Sequence, residues 1–266
     1  MPDGLTLHYE ERGDADSPAV VLLHDLGADG RAWWALARAL GRDYRVILPD
    51  LPGHGLTRSG DDGPGISMTA LAGALRATLD ALDVQMAVLG GEGLGGRVAL
   101  DCALAEPQRV AGVMLFGASV FGPPGEDAAA CIEAEDVARR FGAAALGKRR
   151  AMAIRDPFLA GGLREVYAGR QGEAYAGALA AMLAEPPAED AAARVTPPLL
   201  LCAGEREPGC AAFDTAAQRA SRARVVVFKG AQTSPVSSRA GLLTDAVVEF
   251  LRDVEDGKPV AGHRMV

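Results

Sequence analysis

The chain has 266 residues, enough for one large α/β domain or for one domain that carries an insertion. Its formal net charge of −8 argues against nucleic acid or an anionic membrane surface as a partner. The sequence has no signal peptide, no membrane-length apolar run and no C-x-x-C cysteine spacing, so we expect a cytoplasmic protein with reduced thiols.

Short apolar runs alternate with helical segments along most of the chain. Residues 19–23 are a continuous apolar run, typical of a strand buried in a parallel sheet. The same reasoning predicts strands over 5–10, 45–48, 86–89, 110–116, 199–203 and 225–228, and helices over 31–40, 69–82 and 242–251. This alternation predicts an α/β fold class, with a doubly wound, mostly parallel sheet and right-handed crossovers.

One long stretch, residues 121–195, interrupts the alternation because it contains no predicted strand. It is too long for a crossover loop and is rich in alanine, so we interpret it as an inserted helical cap over the carboxyl ends of the strands. The core domain is then 1–120 with 196–254, and we expect residues 255–266 to form a flexible tail.

The segment 91–96 reads Gly-Glu-Gly-Leu-Gly-Gly and carries the strongest functional signal. It follows a predicted strand and precedes a predicted helix, which is the context of the G-x-S-x-G nucleophile elbow. The flanking glycines let the backbone pass through a strained turn. Gly93 stands at the centre, where such an elbow has its serine, so the expected nucleophile is missing.

Four further motifs lie in a matching order along the chain. His24-Asp25-Leu26-Gly27 resembles a His-Gly oxyanion turn, residues 204–208 resemble a G-x-x-D-P turn, and residues 229–235 resemble a G-A-G-H-x-P loop. Residues 50–57 resemble a D-x-x-G-x-G-x-S loop. Together with the elbow, these motifs resemble the α/β-hydrolase fold family with a helical cap, over about residues 5–252.

The resemblance implies a degenerate catalytic triad. In chain order the family has serine, an acid and histidine, and the matching positions here are Gly93, Glu207 and Thr233. The only histidine after His54 is His263, in the expected tail. Because serine attack needs a neighbouring base, we do not expect a serine hydrolase.

The oxyanion turn is altered as well. The resemblance implies that Leu26 and Leu94 supply the two backbone N–H donors. Asp25 replaces the glycine of the His-Gly pair, and a carboxylate near that pocket would repel a developing oxyanion. The alternative is that Asp25 caps a turn and points to solvent.

Three carboxyl groups are candidates for the remaining chemistry: Asp25, Glu92 and Glu207. Carboxylates packed in a dry pocket raise each other's pKa, and a protonated acid beside an ionised base is a pair fit for proton transfer. This predicts cyclisation, isomerisation, dehydration or decarboxylation of a small apolar carbonyl compound. The alternative for Glu92 is a hydrogen bond to the helix N-terminus that follows it.

Several neighbouring side chains have two alternative roles. His24 either joins the site or has a structural role, which is its common role in the family. The hydroxyls of Thr233 and Ser234 either bind ligand or cap a turn. Seven side chains of the predicted cap either line an apolar pocket or form helix core: Phe121, Phe141, Met152, Phe158, Tyr167, Tyr175 and Met182.

Three functions are compatible with these patterns. The first is a non-hydrolytic enzyme that uses acid–base catalysis, and the second is a pseudohydrolase that binds a ligand or partner. The third is a hydrolase in which Glu92 activates water. We expect a small apolar organic ligand, no cofactor and no metal, because no ligand spacing supports one. A homodimer is compatible with the sequence but carries no signature in it.

Overall fold

The computed structural model of the protein describes residues 7–57, 66–117, 128–152, 161, 164, 172–188, 190–207 and 210–266. Its strands are β1 (Tyr9–Arg12), β2 (Ala19–Leu23), β3 (Arg45–Pro49), β4 (Ala87–Glu92), β5 (Val110–Phe116), β6 (Leu199–Gly204), β7 (Ala223–Phe228) and β8 (Gly262–Met265). They form one eight-stranded sheet in the order β1-β3-β2-β4-β5-β6-β7-β8. Only β1 is antiparallel to its neighbour, so the predicted mostly parallel sheet is confirmed.

Helices connect these strands on both faces of the sheet. The described helices are α1 (Trp34–Leu40), α2 (Met68–Ala81), α3 (Gly93–Ala105), α4 (Ala128–Phe141), α5 (Ala143–Ala151), α6 (Gly172–Ala184), α7 (Ala191–Arg194), α8 (Cys210–Arg219), α9 (Pro235–Ser238) and α10 (Ala240–Glu255). The predicted helix over 31–40 begins with a 3-10 turn, Gly30–Trp33. None of the helices within the described residues is long and apolar enough to cross a membrane.

Successive strand residues alternate between two cores, as the pleat requires. Val21 of β2 packs with Leu71 of α2 and Val98 of α3 on one face of the sheet. Leu22 packs with Phe250 of α10 on the other face. Because both faces are covered by helices, the strands are apolar throughout, which explains why continuous apolar runs marked them in the sequence.

The described part of the segment between β5 and β6 contains the helices α4, α5, α6 and α7 and no strand. A small core, Ala134, Ala138, Leu146, Tyr175, Ala176 and Leu179, joins α4, α5 and α6. Phe141 and Met152 are exposed, whereas Tyr175 is buried as helix core. Phe121, Phe158 and Tyr167, together with the boundary at residue 121, lie outside the described residues, so the cap boundaries stay a prediction.

Both ends of the predicted core need correction. The first strand is Tyr9–Arg12 rather than 5–10, and it pairs antiparallel with β3; residues 5 and 6 lie outside the described part. The expected flexible tail is wrong for residues 262–265, which form β8 and pair parallel with β7. The edge of β7 presents unpaired backbone groups, and the returning chain satisfies them.

We predict that removal of residues 259–266 lowers the free energy of unfolding by about 2 kcal/mol. Val260 is 2% exposed, and loss of its burial and of the β8 hydrogen bonds exposes the edge of β7. Urea unfolding of the truncated chain measures the loss. Lys258→Ala, at an exposed position, is the control, and a truncation with the stability of the full chain would contradict the role of β8.

Candidate active site

The elbow lies at the carboxyl end of β4, where α3 begins. Gly93 has φ +48°, a left-handed conformation that favours glycine. A Cβ on Gly95 would overlap the Leu23 carbonyl of β2, so the helix can approach the sheet only with glycine there. The strand, turn and helix of a nucleophile elbow are therefore all present, with no side chain at the central position.

The Asp25 carboxylate occupies the space that a side chain at position 93 would need. A Cβ built on Gly93 would overlap Asp25 Oδ1. The same oxygen accepts a hydrogen bond from the Leu94 N–H at 3.0 Å. Leu94 is the residue after the elbow centre, so its N–H is the one that the family resemblance assigns to the oxyanion. An internal carboxylate thus occupies that donor.

The backbone at Asp25 is held by its neighbours. Its carbonyl oxygen accepts hydrogen bonds from His24 Nδ1 at 2.8 Å and from the Ala28 N–H at 3.0 Å. His24 Nε2 in turn accepts the Leu51 N–H at 2.9 Å. Because both ring nitrogens bond to backbone, His24 fixes the loop that delivers Asp25, in accord with its structural reading.

Glu92 lies next to this carboxylate and is partly accessible. Its burial, and then the Asp25 charge, raise its pKa to about 8, with a further contribution from Glu207, while a hydrogen bond with Ser234 lowers it. The side chain makes no capping bond to α3, so the alternative of a helix N-terminal hydrogen bond is not what this structure contains. Near neutral pH, Glu92 is therefore mostly a neutral acid.

Two more loops bring side chains to this end of the sheet. Glu207, in the turn after β6, accepts the Gly204 N–H through Oε2 at 3.0 Å. A Cβ built on Gly117, after β5, would lie 3.1 Å from Glu207 Oε1 and 3.8 Å from Ser234 Oγ. The space beside Gly117 therefore allows the turn that carries Glu207 and the loop before α9 to approach each other.

The loop before α9 places Ser234 in the cluster rather than Thr233. Ser234 is 8% exposed and its Oγ accepts the Val236 N–H at 3.4 Å. Thr233 is exposed. The motif places Thr233 where the family has its histidine, and no sequence signal separates the two neighbours, because their burial depends on contacts with distant parts of the chain.

A buried arginine connects the elbow helix to the segment above it. Arg97 of α3 donates to Asp101 at 3.1 Å and to the Glu185 carbonyl at 2.6 Å. The Glu185 carboxylate accepts the Met68 N–H at the start of α2 at 3.2 Å. These bonds tie α2, α3 and the chain after α6 together.

The structure therefore brings Asp25, Glu92, Glu207 and Ser234 to one end of the sheet. Leu26 is partly buried and packs against both the sheet core and the α4–α6 cluster. Within the described residues, no group of three or more His, Cys, Asp or Glu side chains has the geometry of a metal site.

Comparison with known proteins agrees with this fold. A model of the alpha/beta hydrolase family matches residues 20–254, and the chain belongs to that family.

Two relatives match shorter segments. The magnesium-chelatase 30 kDa subunit of Rhodobacter capsulatus is 39% identical over 104 residues, which are 39% of this chain and 36% of that protein. The 2-hydroxy-6-oxononadienedioate/2-hydroxy-6-oxononatrienedioate hydrolase of Paraburkholderia phymatum is 35% identical over 123 residues, 45% of this chain and 42% of that protein. The chain thus matches less than half the length of each relative.

Solved structures match over nearly the whole chain. The enol-lactonase from Burkholderia xenovorans LB400 has a TM-score of 0.77 at 25% identity, covering 92% of this chain and 96% of its own. MenH from S. aureus has a TM-score of 0.80 at 18% identity, covering 93% and 99%. The second likeness shows the fold alone.

We predict that Gly93→Ser destabilises the protein by about 1–3 kcal/mol, because the new side chain overlaps Asp25 and the backbone is left-handed. Asp25→Gly alone costs about 1 kcal/mol through the lost Leu94 bond. The double variant should be less destabilised than the sum of the two. Urea unfolding of the four proteins in a double-mutant cycle measures the coupling.

The matched control for that cycle is Gly241→Ser, at a helical glycine whose added Cβ meets no atom within 4 Å. It should show no coupling to Asp25→Gly. Strictly additive costs for Gly93→Ser and Asp25→Gly would contradict the overlap.

We also predict a pH-dependent stability that originates at Glu92. Its pKa is 4.5 ordinarily and about 8 in the folded protein, so folding binds its proton more tightly. The resulting stabilisation is complete below pH 4.5 and is lost as the pH rises through 8. Glu92→Gln lacks this loss, so its stability relative to wild type should rise between pH 5 and pH 9.

Urea midpoints at pH 5, 7 and 9 test this. Glu205→Gln is the control, since Glu205 is exposed and its carboxylate accepts the Gly230 N–H, as a Gln oxygen still would. Parallel pH curves for wild type and Glu92→Gln would show that folding does not raise the pKa of Glu92.

Proposed function

We propose that this protein is a non-hydrolytic enzyme that performs acid–base chemistry on a small apolar carbonyl compound: cyclisation, isomerisation, dehydration or decarboxylation. The observation that carries the proposal is a carboxylic acid, Glu92, beside a carboxylate, Asp25, at the elbow. Two carboxyl groups whose environments separate their protonation states can act as acid and base at the same pH.

Acyl transfer by serine is disfavoured on two independent grounds. The elbow centre is Gly93, which has no hydroxyl to attack a carbonyl carbon. The Leu94 N–H already donates to Asp25, so an oxyanion at that position would meet a carboxylate in place of a free donor. The first difference removes the nucleophile of a serine hydrolase, and the second removes a donor that would stabilise its transition state.

A second candidate is a pseudohydrolase that binds a ligand or a partner. The bond between Asp25 and Leu94 favours it, because a carboxylate that satisfies the first turn of α3 stabilises the fold without any catalytic use. In this case the acidic cluster is a structural solution to the loss of the serine.

A hydrolase that uses water activated by Glu92 is the third candidate. The names of relatives such as the Paraburkholderia hydrolase support it. The raised pKa of Glu92 weighs against it near neutral pH, because a mostly protonated carboxyl group cannot accept a proton from water.

The proposal includes residues 121–195 as a cap over this end of the sheet. Leu26 supports that placement, since it follows Asp25 and packs against the α4–α6 cluster. The small core that joins these helices would then form one wall of an apolar pocket for the ligand. The compartment is proposed to be the cytoplasm and the ligand a small organic molecule.

The first test is a pair of assays on the purified protein. A serine-directed fluorophosphonate probe should label no serine, and a panel of small carbonyl compounds followed by NMR should include one that is cyclised, isomerised, dehydrated or decarboxylated. Glu92→Gln should lower that rate by at least about 100-fold, and Glu205→Gln should leave it unchanged. Labelling of a serine in the site, or release of acid from esters, would overturn the proposal in favour of a hydrolase.

A further inference from the structure

The two oxygens of the Asp25 carboxylate are in different environments. Oδ1 accepts the Leu94 N–H at 3.0 Å, whereas Oδ2 accepts no hydrogen bond from the part of the chain that the structure describes. A carboxylate that is tethered through one oxygen has a fixed direction, and its second oxygen keeps its lone pairs available for a proton. Asp25 therefore has the form of a positioned base.

Ser234 fixes the direction of the Glu92 carboxyl group. Its oxygen accepts the Val236 N–H, and a hydroxyl that accepts one bond can also donate its own proton. The bond between Ser234 and Glu92 favours the charged form of Glu92, which is the effect of a donor to a carboxyl oxygen. A donor to one oxygen leaves the acidic proton of Glu92 on the other oxygen, away from Ser234.

A substrate oxygen at the elbow finds an unusual set of donors. The Leu94 N–H is taken by Asp25. The Leu26 N–H donates to no acceptor within the described residues, and Glu92 holds a proton. A backbone donor beside an acid suits an oxygen that receives a proton, whereas an oxyanion hole uses donors that keep their protons.

We infer that this site forms enols from uncharged ketones or aldehydes that carry hydrogen on the carbon next to the carbonyl group. The inference rests on the proposed acid–base function. Asp25 Oδ2 removes that proton, the C–H electron pair becomes the C=C bond, and the carbonyl oxygen takes the proton of Glu92. The products are a neutral enol, a protonated Asp25 and an ionised Glu92, so charge and atoms balance without a co-reactant.

The same groups select the charge of the substrate. A carboxylate on the substrate would face Asp25 and Glu207, the two groups whose charges raise the pKa of Glu92. No cation is among the groups that set that pKa. The helix N-terminal N–H that would receive an anion, that of Leu94, is already occupied. An uncharged carbonyl compound meets none of this repulsion.

Proton exchange in D₂O tests the inference directly. The full chain is incubated with cyclohexanone, with 2,3-butanedione, and with pyruvate, which resembles butanedione but carries a carboxylate. Loss of the α-proton signals is followed by NMR. We expect exchange at least tenfold above buffer for the two neutral ketones, less for pyruvate, and a decline above pH 8, where Glu92 loses its proton.

Two variants assign the roles. Asp25→Asn, which still accepts the Leu94 N–H, and Glu92→Gln should each lower exchange at least about 100-fold; Glu205→Gln should not. Glu92→Gln keeps a neutral side chain of nearly the same shape at a partly accessible position, so it tests the inference even if Asp25→Asn fails to fold.

The outcomes separate this inference from the function on which it rests. Exchange that is equal in wild type and Glu92→Gln, or that favours pyruvate, overturns enol formation. Turnover of a panel compound by decarboxylation or dehydration without exchange of the neutral ketones also overturns it, while the acid–base function stands. If no exchange and no turnover of any panel compound is observed, both enol formation and the acid–base function are overturned. The remaining candidate is then the pseudohydrolase that binds a ligand or a partner.

Discussion

The organisation of the site depends on one hydrogen bond, from the Leu94 N–H to the Asp25 carboxylate. It joins the loop after β2 to the first turn of α3 across the end of the sheet. It is possible only because Gly93 has no Cβ. The absence of a Cβ at Gly93 and the carboxylate of Asp25 are thus two parts of one arrangement, in which an internal carboxylate occupies the N–H that the family resemblance assigns to an oxyanion.

An acidic cluster at the end of a sheet lowers the stability of the fold unless each charge is balanced or removed. Three different solutions occur side by side here. Asp25 is balanced by a backbone donor and the positive end of α3, Glu207 accepts the Gly204 N–H, and Glu92 keeps its proton. Because Glu92 keeps its proton near neutral pH, the cluster carries one negative charge fewer.

The sequence predicted most of the sheet because buried parallel strands are apolar on both faces and need no partner to be recognised. The sequence also predicted the elbow, because the close approach of α3 to β2 requires its glycines. Three features could not be predicted in this way. They are the direction of the Asp25 side chain, the burial of Ser234 rather than Thr233, and the pairing of residues 262–265. Each depends on residues distant in the chain, and a local pattern carries no information about them.

The overlap between a side chain at position 93 and Asp25 also affects the order in which substitutions at these two positions are tolerated. A serine introduced at position 93 meets a carboxylate in its own space, whereas removal of Asp25 costs a single hydrogen bond. The order of changes that costs less stability replaces a serine at position 93 before it introduces the aspartate at position 25. The reverse order passes through a protein in which the two side chains compete for the same space.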